Sequence, residues 1–344
     1  MSTSRREFFR NNRFISRFII IAWFFFLCIF IIFGKTGATS PSSSSTNPSS
    51  SKFRNHLDEF RTKGLRHTYF GLRHGQSLAN VEKIICSNPE IATKHFGLSK
   101  KGHEQAEDAG WELIEDFVNT RAYCQQNRIP HPMGIAICAS DFSRAKETAL
   151  GLVDAVRLYN QECIREAKEA GNDRSSDTIC LFTTDDNGHL RQLLLPDDEE
   201  GSVNVPIDVR LRERWFGDWD QTSDNHYQNV WKDDAIDPYH TNHNVESVWS
   251  VLDRATSVIR DWEQKTNFGS YFPLWVVCVA HGDVLQILQT AFDSSMDPSQ
   301  HRSLEHLETA KLRWLELDPE PPQIETTTVT RANEMSEEEQ SGEE

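Results

Sequence analysis

The chain is short of positive charge. Its 36 lysines and arginines stand against 52 aspartates and glutamates, a net charge of −16 over 344 residues. A surface of that sign repels a phosphate backbone, so nucleic acid is not expected as a partner. Cysteine is scarce too, and its seven copies show no paired spacing that would frame a set of disulfides. Cys28 falls in an apolar run, while Cys138 and Cys278 fall in strand-like runs, where they read as buried thiols. No Asn-x-Ser/Thr acceptor with a permissive middle residue occurs. Both absences sit awkwardly with an extracytoplasmic domain. Import into an organelle through a bipartite leader would accommodate them.

What is present first is a membrane signal at residues 1–38. Arg5, Arg6, Arg10, Arg13 and Arg17 face a single acid, Glu7, and residues 18–33 are then unbroken apolar. That run is somewhat shorter than the roughly 20 residues that span a bilayer, though Phe14, Ile15 and a snorkelling Arg17 extend it. Its bulk, with Trp23 followed by three phenylalanines, favours an uncleaved signal anchor with the N-terminus in the cytosol. The alternative is a signal or targeting peptide, cleaved near Thr36-Gly37-Ala38, which would leave the rest in a secretory or organellar lumen. Residues 39–64 read as a serine-dominated linker ending in a candidate adaptor helix over 53–65. Residues 319–344 read as a disordered acidic tail.

The middle of the chain carries the chemistry. A run rich in β-formers, His67-Thr68-Tyr69-Phe70-Gly71-Leu72, ends in Arg73-His74-Gly75, where Gly75 is expected to let the backbone turn sharply. A second run, 134–139, ends in Ser140-Asp141-Phe142-Ser143-Arg144-Ala145. A third, 274–280, ends in His281-Gly282-Asp283. Neighbours on a regular strand point to opposite faces, so a cation and an imidazole converge on one ligand only where the strand stops. Open α/β sheets bind ligands there. Between these runs, Leu211-Arg212-Glu213-Arg214-Trp215-Phe216-Gly217 supplies a carboxylate. Two arginines, two histidines and one glutamate suit a phosphate site with a nucleophile.

With these boxes the chain resembles the histidine phosphatase superfamily, also called phosphoglycerate-mutase-like, over roughly residues 65–318. The matching pieces are Arg73-His74-Gly75 with Asn80 downstream, Leu98-Ser99-Lys100-Lys101-Gly102-His103-Glu104-Gln105-Ala106, the 140–145 box, the 211–217 box and Ala280-His281-Gly282. The resemblance implies that His74 is the nucleophile, that Arg73, Arg144 and His281 form the phosphate pocket, that Asn80 is an auxiliary phosphate contact, and that Glu213 donates and accepts the proton. Asp283 is a rival donor, because a distant branch of the superfamily places its acid right after the second histidine. As structure alone, Asp283 reads as the N-cap of the apolar run that follows it. In the family the box at 245–247 usually reads Gly-Glu-Ser; here it is Val245-Glu246-Ser247, and the missing glycine leaves the local backbone open.

The expected fold is α/β, three layers α/β/α around a mostly parallel central sheet. Ser99 is expected to cap a helix over 100–119, and Arg144 to open one that runs to about residue 159. Residues 162–204 read as a solvated insertion, acidic at 197–200, with strands at 179–182 and 190–195 that would pair. It would cover either the pocket or an edge of the sheet. His226, Asp233, Asp234, Asp237, His240 and His243 gather in 220–244, but Pro238 marks a loop and the chemistry already assembled calls for no metal or cofactor. Of Trp215, Phe216, Trp219, Tyr227 and Trp231, some should be core and one or two should wall the pocket. A last strand is expected at 312–317. The function expected is hydrolysis of a small phosphorylated metabolite through a phosphohistidine. The rivals are a phosphoglycerate-mutase-type phosphoryl transfer and a catalytically inert, membrane-tethered phosphate- or protein-binding module.

Overall fold

A computed structural model of the chain describes residues 54–172, 177–184, 189–193, 205–265 and 273–318. In chain order the strands are β1 (Thr68–Arg73), β2 (Gly134–Ala139), β3 (Leu181–Thr184), β4 (Leu190–Leu193), β5 (Leu274–Ala280) and β6 (Leu312–Leu315). The helices are α1 (Leu78–Glu82), α2 (Pro89–Ala92), α3 (Lys100–Asn127), α4 (Ser143–Glu169), α5 (Tyr227–Ile236), α6 (Val248–Gln264) and α7 (Gly282–Phe292). The strands form one sheet in the order β4-β3-β2-β5-β1-β6. β3, β2, β5 and β1 are mutually parallel, and an antiparallel strand closes each side, β4 on β3 and β6 on β1.

The pattern of β5 explains the layering. All seven of its residues are buried, and successive side chains leave on opposite faces. Val276, Cys278 and Ala280 enter a core shared with Val251, Leu252, Val258 and Ile259 of α6 and with Leu285 and Leu288 of α7. Trp275, Val277 and Val279 enter a second core with Leu113 and Phe117 of α3 and Ala149, Leu152 and Val156 of α4. A strand covered on both faces must be apolar throughout, which is why it reads as a continuous hydrophobic run. Each fully buried valine contributes roughly 1.5–3 kcal/mol, so this central strand is the firmest support available for residues at its end. The fold is therefore the expected three-layer α/β/α arrangement.

Several boundaries differ from expectation for physical reasons. Ser99 does cap α3, its hydroxyl accepting from the Gly102 N–H, but the helix runs on to Asn127 and stops at Arg128 in the left-handed region. α4 continues to Glu169, so residues 162–169 are helix and not insertion. There Arg165 pairs with Glu162 one turn before it and with Glu169 one turn after it. Within the rest of the expected insertion, β3 and β4 pair antiparallel as foreseen and extend the sheet edge beside β2. The acidic stretch 197–200 lies outside the described residues. The adaptor helix is replaced by a single 3₁₀ turn, Asp58–Phe60, whose Leu57 and Phe60 are buried. The last strand stops at Leu315. Among the described residues no helix is long and apolar enough to cross a membrane. The apolar run 18–33 and the tail 319–344 lie outside them.

Candidate active site

The order β2-β5-β1 brings three carboxyl ends side by side. The ladder continues one residue past each end: His74 N–H donates to the Ala280 carbonyl at 3.0 Å, and Ser140 N–H donates to the Val279 carbonyl at 3.0 Å. His74, Ser140 and His281 are thereby fixed as neighbours by main chain alone. The imidazole rings of His74 and His281 lie 5.1 Å apart, centre to centre. Both are buried, His74 at 3% exposure and His281 at 0%.

Hydrogen bonds assign the tautomer of each ring. Arg144 donates from Nε to His74 Nε2 at 3.1 Å, and an arginine is always protonated, so Nε2 carries a lone pair. His74 Nδ1 then holds the proton and donates to the Gly75 carbonyl at 2.7 Å. Burial, then the charges of Arg144 and Arg73, hold this imidazole well below its ordinary value. At His281, Ser140 Oγ lies 3.0 Å from Nε2 and itself accepts from the Phe142 N–H at 3.3 Å. Among the described residues that hydroxyl has no other acceptor, so the tautomer that pairs the serine proton has Nε2 accepting and the ring proton on Nδ1. Burial, then Arg144 and His74, keep His281 neutral as well.

Three N–H donors in this cluster are buried with no partner among the described residues: Arg73 Nε, Arg144 Nη1 and His281 Nδ1. Each guanidinium is otherwise anchored. Arg73 Nη1 donates to the Leu307 carbonyl at 2.9 Å and meets His306 Nε2 at 3.2 Å; Arg144 Nη2 donates to the Cys86 carbonyl at 2.9 Å. Buried donors without acceptors are costly, on the order of 1–3 kcal/mol each. The arrangement is that of a preorganised anion site. Two glycines make room for it. A Cβ on Gly282 would crowd Arg73 Nε at 3.3 Å, and one on Gly75 would meet the Gly102 carbonyl oxygen at 2.5 Å. Gly75 is not in the left-handed region, so its requirement is this close approach to α3 and not the sharp turn expected.

Glu213 is half-buried, its Oε1 accepts from the Arg214 N–H at 3.0 Å, and the charges of Arg144 and Arg73 act on its carboxyl. Its carboxyl is raised to about 7 by burial and then by the nearby charge of Asp283, against the lowering influence of Arg144 and Arg73. Its neighbours hold it still. Arg214, 0% exposed, forms a two-pronged pair with Asp234 at 2.7 Å for both contacts, and its Nε donates to the Glu246 carbonyl at 2.6 Å. Arg254 donates from Nη1 to the Arg212 carbonyl at 2.9 Å and from Nε to Glu246 at 2.8 Å. Glu246 and Ser247, which caps α6, therefore do their work without the glycine that the family pattern places before them.

Asp283 is not the helix cap. The N-cap of α7 is His281, and Asp283 is the second helical residue. It accepts from Arg214 Nη1 at 3.2 Å and from Trp231 Nε1 at 2.9 Å. Burial would raise its carboxyl, but the facing His301 imidazole, then Arg214 and Arg302, outweigh burial and hold it well below the usual carboxylate range. Its charge is in turn one of the causes that raise the Glu213 carboxyl. Asn80 stands at the start of α1. It is exposed, and its Oδ1 accepts from the N–H and hydroxyl of Ser77 in the capping box of α1. No hydrogen bond joins it to the histidines or arginines of the cluster.

The 220–244 segment divides in the same way. Asp234 and His240, 2.7 Å apart, belong to the Arg214 cluster, whereas His226 and His243 pack on Trp219. Phe216 is fully buried core and Trp215 is exposed. Tyr227 packs edge-on against Phe216 and stacks on Trp231, and burial and then Glu213 raise its hydroxyl. Phe142 packs edge-on against His281, 5.1 Å between ring centres, and lies under Arg144. His306 and Leu307, which hold Arg73, went unseen in the sequence because they follow a 3₁₀ turn, Pro298–Ser303, with no periodicity to announce it. A cavity of about 450 Å³ lined by Phe60, Arg61, Thr68 and Trp314 opens at the other end of β1 and touches neither histidine.

A family model described as histidine phosphatase superfamily (branch 1) matches residues 196–330. Over that span, somewhat less than half of the chain, the protein is similar to the histidine phosphatase superfamily. The matched span holds Glu213 and His281; the sheet brings Arg73, His74 and Arg144 to them from outside it. Among solved structures, the chain is similar to a mycobacterial glucosyl-3-phosphoglycerate phosphatase in complex with VO3, at 20% identity over 74% of this chain and 98% of that one, TM-score 0.43. It is also similar to Bacillus stearothermophilus YhfR, at 19% identity over 73% and 92%, TM-score 0.44. A phosphoserine phosphatase mutant from Entamoeba histolytica in complex with phosphoserine matches at 14% identity over 72% and 88%, TM-score 0.42. No curated protein matches.

Proposed function

We propose that the protein hydrolyses small phosphomonoesters through a phosphohistidine at His74. The observation that supports this most is the set of buried, unpartnered donors, Arg73 Nε, Arg144 Nη1 and His281 Nδ1, around an imidazole with its lone pair on Nε2. A phosphoryl group satisfies all three and takes over the Arg144 hydrogen bond, which frees that lone pair. His74 Nε2 attacks phosphorus, the N–P bond forms, and the ester P–O bond breaks with its electrons passing to the leaving oxygen. Glu213, protonated near neutrality, gives that oxygen its proton. Water then attacks the phosphohistidine. The Glu213 carboxylate takes the water proton, the N–P bond breaks back to Nε2, and phosphate leaves. Fixed donors that need no reorganisation stabilise the charge that spreads over the phosphoryl oxygens.

The test is phosphate release from a panel of small phosphomonoesters by residues 54–344, beside His74→Ala. We expect release that the variant loses by at least roughly a thousandfold. Transfer that requires a bisphosphorylated primer would replace hydrolysis by the mutase reading. Phosphate binding of ordinary affinity with no turnover would leave a binding module. The reading also includes residues 1–38 as a membrane anchor, argued from the apolar run alone. Alkaline extraction of the full chain from membranes, releasing it as a soluble protein, would remove that part.

A further inference from the structure

Arg302 is the charged group beside this site that nothing so far employs. It stands in the Pro298–Ser303 turn, four and five residues before the His306 and Leu307 that hold Arg73, so its segment borders the phosphate pocket. Its guanidinium lies over the indole of Trp231, 3.7 Å from the ring centre, and that indole is fixed by the 2.9 Å bond from its Nε1 to Asp283. Half-buried, Arg302 has no hydrogen bond and no ion pair among the described residues. Asp283, the nearest acid by its influence, is already engaged by Arg214 and Trp231. Burial lowers the Arg302 guanidinium, and after Asp283 the groups that act on it are Arg73 and Glu213, the two sides of the reacting centre.

An arginine that is partly desolvated, held over an aromatic and left without a counter-ion is poised for an anion. The phosphoryl oxygens already have donors in Arg73, Arg144 and His281. The unserved side is the one Glu213 occupies, where the alcohol departs. Resting on the phosphatase reading above, we propose that Arg302 determines specificity by binding an anionic group carried on the leaving alcohol, so that the preferred substrates are phosphomonoesters bearing a second negative charge. An acidic substrate also has to be drawn into a protein with net charge −16. A dedicated cation at the mouth of the pocket overcomes that repulsion locally.

The experiment compares matched two- and three-carbon phosphomonoesters whose alcohol ends in a carboxylate, a second phosphate, a neutral hydroxyl or an ammonium group. The readout is kcat/KM for wild type, Arg302→Ala, Arg302→Lys and Arg302→Gln. Wild type is expected to favour one or both anionic series over the neutral one by roughly 10- to 100-fold, the worth of a charge-assisted hydrogen bond, mainly through KM. Arg302→Ala and Arg302→Gln should abolish that ratio, and Arg302→Lys should retain part of it. The carboxylate and bisphosphate arms show which anion is meant. Arg302→Gln keeps a long side chain on Trp231, and thermal melting of each variant shows that it is folded. Equal kcat/KM for neutral and anionic esters in wild type overturns the proposal while leaving the phosphatase reading standing. So does an equal loss on every ester in Arg302→Gln. Hydrolysis of none of the esters by folded wild type removes the phosphatase reading, and this proposal with it.

Discussion

Two clusters of buried charge act on Glu213, and they are built on opposite rules. In the Arg214 cluster every charge is answered: the guanidinium holds Asp234 with both prongs and Asp283 with one, His240 bonds Asp234 at 2.7 Å, and Trp231 bonds Asp283. In the His74 cluster the charges are of one sign and three donors lack acceptors. Both are nearly inaccessible to water. The first pairs its arginine with acids, leaving only His301 Nε2 beyond hydrogen-bond reach of Asp234 and Asp283, and positions the loop of Glu213; the second is satisfied by an anion. Completeness of pairing, more than burial or charge, separates the part that holds the fold from the part that binds.

The strongest way to break the contrast is Asp234→Ala. It leaves Arg214 buried beside a vacated acid, and removing one partner of a buried pair costs about 3–5 kcal/mol. Denaturant unfolding should show a loss of that size. A loss under about 1 kcal/mol would mean that the cluster is not the strut described here. Arg144→Ala should act on turnover instead. Loss of one preorganised donor lowers kcat by roughly 100- to 1000-fold, with a smaller loss of stability than Asp234→Ala. If Arg144→Ala unfolded the protein as readily as Asp234→Ala does, the two clusters would not be different in kind.

The same distinction governs what the sequence could show. His74, Arg144 and His281 were legible because each follows an apolar run, and strand ends are where a sheet presents side chains. The mostly parallel sheet followed from runs such as 274–280 that lack alternation, since both faces are covered. Pairing was not legible. Asp283 looked like a cap because an acid opening a helix usually is one, and only the approach of Arg214 from 69 residues away shows otherwise. Asn80 resembled a phosphate contact by motif and spends its amide oxygen on Ser77. Arg302 and His306 sit beyond a short irregular turn, where neither periodicity nor a family box marks a residue.

The pH profile sharpens the contrast because Asp283 and Glu213 are driven apart by it. Glu213, raised to about 7, is the proton-bearing form below that pH and loses it above. For an ester with a poor leaving group, kcat/KM should be level near pH 6 to 7 and fall about tenfold per unit above 7, and Glu213→Gln should lack that limb. An aryl phosphate, whose leaving group needs no proton, should show a shallower fall. The sign for stability is set by the same shift. Between about 4.5 and 7 the unfolded chain releases the Glu213 proton first, so this group makes the fold less stable as pH rises through that window. His74 and His281, both held below 6.5, work in the other direction: below that value the unfolded histidines take up protons that the folded ones refuse. An activity profile without an alkaline limb near 7 would take the proton from Glu213 and require another donor.

The smallest expected effect tests whether the unpaired donor on His281 is built or accidental. Ser140 Oγ accepts from Phe142 and directs its own proton to His281 Nε2, which obliges Nδ1 to keep the ring proton for a ligand. Ser140→Ala removes that obligation without touching phosphate. The ring can then place its proton on either nitrogen, and the fraction with a donor at Nδ1 falls. A single neutral hydrogen bond of this kind corresponds to roughly a 3- to 10-fold loss in kcat/KM. Nitrogen chemical shifts of His281 should show the tautomer moving in the variant, and Ser140→Thr, which keeps the hydroxyl, should restore both. A rate loss with the tautomer unchanged would make Ser140 a packing residue, and the donor at His281 would then owe its position to the N-cap of α7 alone.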